Sequence, residues 1–428
     1  MIHKGRLFSA LFMASFPLFG FGSYYGLKNG LSKGLIMSTA PFVLIILLHL
    51  IDSVYRRDLR RALNPFFWLC LLYIGLLWAS QFVALRNGIP GVQVGNVLLN
   101  NALMAAPFLA AVIVVVQNRR TPGFDFGKVL FIGLGALIAI NVLGYAAGVR
   151  SYGFGFEGRT NFPFIRGIYT GAHLISVWAL MLLVRMRGAL ARPVAAALAA
   201  AALLVCLYFM VRINSRLSFM VFLALFALFA TRAIRVARGI YLISLFTLPL
   251  LLSFSMLVYR VLTLPVFAKV LERVDKEDVT SFNGRRYIWE AVGDWAWSDR
   301  RGLLLGNGYK GHYTLRLYDE VARLWGEPHS YNIHSHSTFA EALVSLGIVG
   351  VALLYLLFWK GFTHYRRHYL KGTSQAPLFA GMCYLLFIWQ LDIFCYGTDL
   401  GHAILFAMLA PLCIRPGALP EGMAIREA

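Results

Sequence analysis

The sequence predicts an all-α polytopic membrane protein, and three observations predict it. Of the 428 residues, 59% are hydrophobic and only 14% are charged. The mean hydropathy is +0.68. The apolar residues gather into runs of roughly 18 to 22, each long enough to cross about 30 Å of hydrocarbon as a helix. Apolar content this high excludes a disordered chain, and Gly and Pro without period exclude a collagen-like one. The five cysteines lie in apolar stretches without CxxC pairing or zinc spacing, so they read as small hydrophobes.

Twelve runs qualify as spans, at 8–26, 34–53, 64–85, 96–117, 128–148, 168–186, 191–211, 217–234, 239–258, 338–359, 376–396 and 399–414. The first follows Lys4 and Arg6 in the manner of a secretory signal. No small-x-small cleavage site follows it and another span comes directly after, so it reads as a retained helix. The chain thus divides into a first membrane part (1–258), one long polar loop (259–337) and a second membrane part with a tail (338–428). No internal repeat or low-complexity tract interrupts this order.

The net charge of +21 could point to nucleic acid, but in a membrane protein basic residues first set topology. With the N-terminus inside, the inner segments carry Arg56, Arg57, Arg60 and Arg61, then Arg119, Arg120 and Lys128, and later Arg366 and its neighbours, 21 basic residues in all. The short outer connections carry eight: Lys28, Lys33, Arg86, Arg150, Arg159, Arg166, Arg212 and Arg216. The excess places both termini in the cytoplasm and the long loop on the opposite, periplasmic side. The expected partners are therefore membrane lipids, with no nucleic acid.

The long loop holds ten of the nineteen acidic residues. Leu264, Phe267, Leu271 and Val274 recur at helical spacing and predict an interfacial helix; Ile288, Val292 and Trp295 predict a second helix. A turn punctuated by glycine follows, Leu305-Gly306-Asn307-Gly308-Tyr309, and then a stretch rich in histidine. The sequence contains no GxxxxGK[ST], GxSxG, HExxH or strand-flanked GxGxxG motif, which argues against ATP-driven and serine-hydrolase chemistry.

The polar residues that remain cluster at one membrane face. Arg212 and Arg216 bracket a short outer hairpin, where an arginine calls for an anionic partner or snorkels to the headgroups. In the second loop helix Arg285 shares a face with Trp289 and Val292, whereas Arg286 leans away. His329, His334 and His336 fall within eight residues. A neutral imidazole is suited to take a proton from a hydroxyl at neutral pH, and the same H-x4-H-x-H spacing is also compatible with a zinc site or with an interfacial loop. Glu341 and Asp392, near the outer ends of two spans, are either functional carboxylates or partners that hold the outer arginines.

In their order these residues resemble the O-antigen ligase and polymerase superfamily of bacterial membrane glycosyltransferases. The matches are Ser215-Arg216 opening a span, Arg285 four residues before Trp289, the Leu305-Gly306-Asn307-Gly308 turn, and His336 eleven residues before Gly347 in Leu346-Gly347-Ile348-Val349-Gly350. Where the family has HNxxL, this chain has Ser337 and Ala340; of the two candidate histidines, only His336 gives the family spacing to Gly347.

The resemblance implies transfer of a glycan from undecaprenyl diphosphate onto lipid A-core oligosaccharide, with inversion and without cofactor, metal or ATP. In that reading Arg216 and Arg285 bind the diphosphate and His336 is the base. Arg212, Arg286, Arg159, His334, Tyr309, Glu341 and Asp392 are the substrate-binding candidates. Alternatives are a polymerase using a second lipid-linked glycan as acceptor, a protein oligosaccharyltransferase, and a transporter or flippase. The last should show inverted repeats and charges near the midplane, which this sequence lacks.

Overall fold

The computed structural model describes residues 4–53, 62–151, 160–189, 192–236, 239–247 and 285–419. Arg56 to Arg61, Arg159 and the 264–274 stretch lie outside these residues. The described chain is helical, with one isolated bridge, Leu63 to Ile414, and no strand.

The first half runs α1 (Lys4–Asn29), α2 (Leu31–Ser53), α3 (Pro65–Arg86), α4 (Val94–Gln117), α5 (Phe126–Ala146), α6 (Ile168–Ala189), α7 (Pro193–Ile213) and α8 (Arg216–Ala230), with a short α9 (Ile240–Leu245). The loop region contributes α10 (Arg285–Ser298) and the short turns α11 (Arg300–Leu305), α12 (Gly311–Thr314) and α13 (Asp319–Leu324). Three helices close the bundle: α14 (Thr338–Lys371), α15 (Ala376–Leu391) and α16 (Leu400–Leu409).

Eight of these, α1 to α7 and α14, are long and apolar enough to cross a membrane. Three shorter apolar helices, beginning at Arg216, Ala376 and Leu400, coincide with further expected spans. The expected span at 239–258 is described only as far as residue 247, so the full count of twelve is not reached among the described residues. Local signals account for the helix starts. The Asn64 side chain accepts from Phe66 N ahead of Pro65, and Asp125 accepts from Lys128 N. Ser337 caps α14 through Ala340 N.

The core gathers around α15, which packs against α6, α8 and α14 and buries almost every side chain, Trp389 and Tyr384 included. α14 is not one straight helix. At Gly347 the backbone turns to φ 68°, ψ −171°, which breaks it near its loop end. Such a conformation is open essentially only to glycine. The break lets the Leu305–Tyr309 turn lie against it: Asn307 N donates to Val344 O (2.8 Å) and Gly308 N to Ser345 O (3.0 Å). Gly306, at φ 77°, faces the backbone of Ser345 and Leu346, while a Cβ on Gly347 would collide with the carbonyl of Leu304. The two glycine motifs are therefore one feature, a close crossing of two backbones.

Candidate active site

The site lies at the end of the bundle that carries the loop region, where α6, α8 and α14 begin and α15 ends. Arg285 opens α10 and is 5% exposed, on the same face as Ile288, Trp289 and Val292. Its guanidinium donates to Leu391 O (3.1 Å), lies 3.7 Å from Asp392 Oδ2 and sits 5.1 Å from the centre of the Tyr169 ring. Arg286 turns the other way and pairs with Glu290 (2.7 Å) at 56% exposure, so the structure does not bring it to the site. Arg212 is likewise exposed.

Asp392 does more than face Arg285. Its Oδ2 is 3.3 Å from His173 Nε2, its Oδ1 accepts from Ile393 N (2.9 Å), and its carbonyl receives Thr338 N at the start of α14. The other nitrogen of His173 meets Tyr384 OH (2.9 Å) and Ser218 Oγ (3.0 Å). Ser218 then meets Ser215 Oγ at 2.6 Å, the residue just before Arg216. With Asp392 as acceptor, the ring is consistently paired when Nε2 carries its proton. A continuous buried network thus runs from Arg285 to the first turn of α8, which half-buried Arg216 opens. This matches the reading that the carboxylates hold the arginines in place, for Asp392.

Glu341 does something else. Its Oε2 accepts from Ser335 N (3.1 Å) and Ser335 Oγ (2.7 Å). Ser335 lies between His334 and His336; its Oγ also meets Tyr318 OH (2.7 Å), and its carbonyl accepts from Trp289 Nε1 (3.0 Å). One serine therefore ties the histidine loop to α14, α13 and the Arg285 helix. His336 takes φ 46°, a left-handed conformation uncommon for a residue with a side chain and typical of constrained functional positions. Its ring lies 4.3 Å from that of His334, and its Nδ1 has no hydrogen-bond partner. Burial, then the charges of His334 and Arg285, hold its imidazole well below the usual histidine range.

Beside these groups opens a cavity of about 780 Å³. His334, Tyr309, Glu341 and Asp392 line it; His336, Arg216 and Arg285 do not. Its other half is formed by α1 and α2 around Gly22, Gly26 and Gly34. A buried histidine, His312, also lines it, 4.0 Å from Glu341 Oε1. Among the described residues no group of three His, Cys, Asp or Glu side chains is arranged to hold a metal ion.

With this arrangement in view, the comparison with known families is specific. Residues 200–355 match the family model described as O-antigen ligase. That stretch of the chain is similar to the O-antigen ligase family. The matched region takes in Arg216, Arg285, the glycine turn, both site histidines and Glu341, a little over a third of the chain. Two members of the network, His173 and Asp392, fall outside it, as does the α1–α2 side of the cavity. No curated protein matches the chain.

Sequence reasoning missed His173, which reads as a lone core histidine in an apolar span. The available signal was that any ionisable residue inside a span is expected to have a partner. Ser215 and Ser218 carried a weaker signal, two hydroxyls three residues apart beside Arg216, which places them on one helix face.

Proposed function

We propose that this protein transfers a glycan from undecaprenyl diphosphate to lipid A-core oligosaccharide at the outer face of a bacterial inner membrane. The observation that carries the reading is the network joining Arg285, Asp392, His173, Ser218 and Ser215. It joins Arg285 to Ser215, the residue before Arg216, through Asp392, which lines the cavity. A diphosphate is a strong double anion, and two guanidinium groups offer it paired planar donors. As the glycosidic bond to the new acceptor forms, the bond from the anomeric carbon to the diphosphate oxygen breaks. The negative charge then builds on the leaving phosphate, where the arginines stabilise it. The acceptor hydroxyl gives its proton to His336, attacking from the face opposite the diphosphate, so the configuration inverts. The sugar–diphosphate linkage is already activated, so no nucleotide is consumed.

One observation favours a second assignment of the base. His334, and not His336, lines the cavity. Separate substitution of each histidine distinguishes the two assignments. The transfer itself is tested by deleting the gene and complementing it with variants. The deletion should accumulate lipid-linked glycan and bare lipid A-core on a lipopolysaccharide gel. Arg216→Ala and Arg285→Ala should each fail to restore transfer, with a loss of about 3 kcal/mol of transition-state stabilisation, about two decades in rate. Core carrying a single repeat would instead identify a polymerase, and normal ligation by both alanine variants would reduce the arginines to lipid anchors.

A further inference from the structure

Two cations face the cavity without an ion-pair partner among the described residues. Arg166 lies just before α6 and Lys310 just before α12, and both line the cavity wall. Neither makes an ion pair among the described residues. Two of the carboxylates on the same wall are engaged elsewhere. Glu341 accepts from Ser335 twice, and Asp392 is taken up by His173, Ile393 N and Arg285. Asp399, the third, pairs with neither cation.

Lys310 is also held in an unfavourable shape. Its backbone sits at φ 54°, a conformation that crowds any residue with a Cβ. The turn imposes it: Tyr309 N donates to Ser80 O (3.0 Å), Gly311 N to Gly308 O (2.9 Å) and Tyr313 N to Lys310 O (3.0 Å). The ammonium lies 5.5 Å from the centre of the Tyr331 ring, which also lines the cavity. Burial lowers the ammonium's pKa, the charge of Glu341 opposes it, and the charge of Arg166 adds a smaller lowering. Backbone strain that fixes a charged side chain over an aromatic ring in a cavity is characteristic of a binding group.

We propose that Arg166 and Lys310 form an anion subsite on the cavity wall, separate from Arg216 and Arg285, that holds a phosphate or carboxylate carried by a sugar of the acceptor. The source of the anion rests on the transferase reading above: with the donor diphosphate held by Arg216 and Arg285, a second pair of cations serves the other substrate. The anion site itself rests only on the two unpaired cations, the strained lysine and the cavity.

The test uses the full chain in lipid nanodiscs and two acceptor preparations. One is lipid A-core as isolated, and the other is the same material after removal of its phosphates and reduction of its carboxylates. The wild type should bind the untreated acceptor about 10- to 100-fold more tightly than the stripped one, the range expected from charge-assisted hydrogen bonds. Arg166→Gln and Lys310→Asn should bind both at the stripped level, with donor binding unchanged and the loss in transfer falling on the acceptor KM. Asparagine is chosen at 310 because it tolerates the left-handed backbone. Lys310→Arg should recover most of the discrimination.

Equal wild-type affinity for the two acceptors overturns the proposal. So does a loss by the variants that is as large on stripped acceptor, which marks a structural role, or a loss confined to the donor, which assigns the cations to its diphosphate. If the wild type discriminates as expected but transfers nothing, the transferase reading fails and the subsite stands.

Discussion

Replacing Glu341 separates a carboxylate that holds the histidine loop from one that takes a proton. The residue is 3% exposed, and its Oε2 receives both the N–H and the hydroxyl of Ser335. Glutamine has the same length and keeps an acceptor oxygen at that point, losing only the charge. Each of the two bonds then falls from the charge-assisted range of about 1.5–3 kcal/mol to the neutral range of about 0.5–1.5 kcal/mol. The pair together loses about 2 kcal/mol, less where the two bonds are coupled. Alanine removes both bonds, about 3–6 kcal/mol, and leaves the buried Ser335 N–H without a partner. Glu341→Gln should therefore keep transfer within about tenfold of wild type, with a melting temperature lower by a few degrees. Glu341→Ala should lose transfer together with the order of the loop. Transfer kinetics on purified protein, paired with a thermal melt read from tryptophan fluorescence, measure both. A glutamine variant that melts like wild type yet is as inactive as alanine refutes the positioning role and makes Glu341 a proton acceptor.

Three further outcomes follow from the same geometry. His336→Asn, which suits the left-handed backbone, should lose transfer by about a hundred- to ten-thousandfold, with His334→Asn much less affected; the reverse order identifies His334 as the base. The ring must be neutral to accept a proton and burial lowers its pKa, so activity should be lost as pH falls through a value below the ordinary 6.5; a limb at or above 6.5 contradicts the assignment. Gly347→Ala should fail to accumulate as monodisperse folded protein, because its Cβ meets the Leu304 carbonyl, whereas Gly372→Ala, also at positive φ but in open space, should fold at a cost of about 1 kcal/mol. A membrane-impermeant thiol reagent applied to intact spheroplasts should label Glu327→Cys and not Arg120→Cys in a background free of cysteine; labelling of the second alone reverses the orientation, and labelling of both puts the two positions on one face and refutes the topology.

Much of this architecture was legible because the bilayer constrains it. A helix that must cross hydrocarbon needs an unbroken apolar run, so the spans stand out in the sequence, and α10 stood out through the spacing of Ile288, Val292 and Trp295. The inward turn of Arg285 and the outward turn of Arg286 followed from helix periodicity alone. What could not be read were pairings between distant segments. Nothing local says that His173 meets Asp392, more than two hundred residues later, or that Gly306 lies against the backbone beside Gly347. Glu341 was legible as a buried carboxylate but not as the acceptor for Ser335, since that depends on how the loop folds back over the first turn of α14. The cavity was illegible for the same reason. Its lining draws on α1, α2, the segment before α6 and the loop region at once, and includes Arg166 and Lys310, which by spacing resemble ordinary surface cations.

The crossing of the glycine turn over the broken α14 has a mechanical consequence. The chain is fastened to α14 at Asn307 and Gly308 and again at Ser335, and both fastenings fall within the short stretch from Glu341 to Ser345. Residues 309–334 therefore form a loop that leaves and returns to α14 at nearly one place. Tyr309 N on Ser80 O and Tyr318 OH on Ser335 Oγ fasten it further, and His312, Tyr318, Val321 and Ala322 are buried along it, so it is held as one packed unit. Lys310, His312 and Tyr331 ride on it, while Arg285, Asp392 and the start of α8 stand outside it. Substitutions within 309–334 that keep these fastenings should therefore change what lines the cavity while Arg285 and Asp392 keep their geometry.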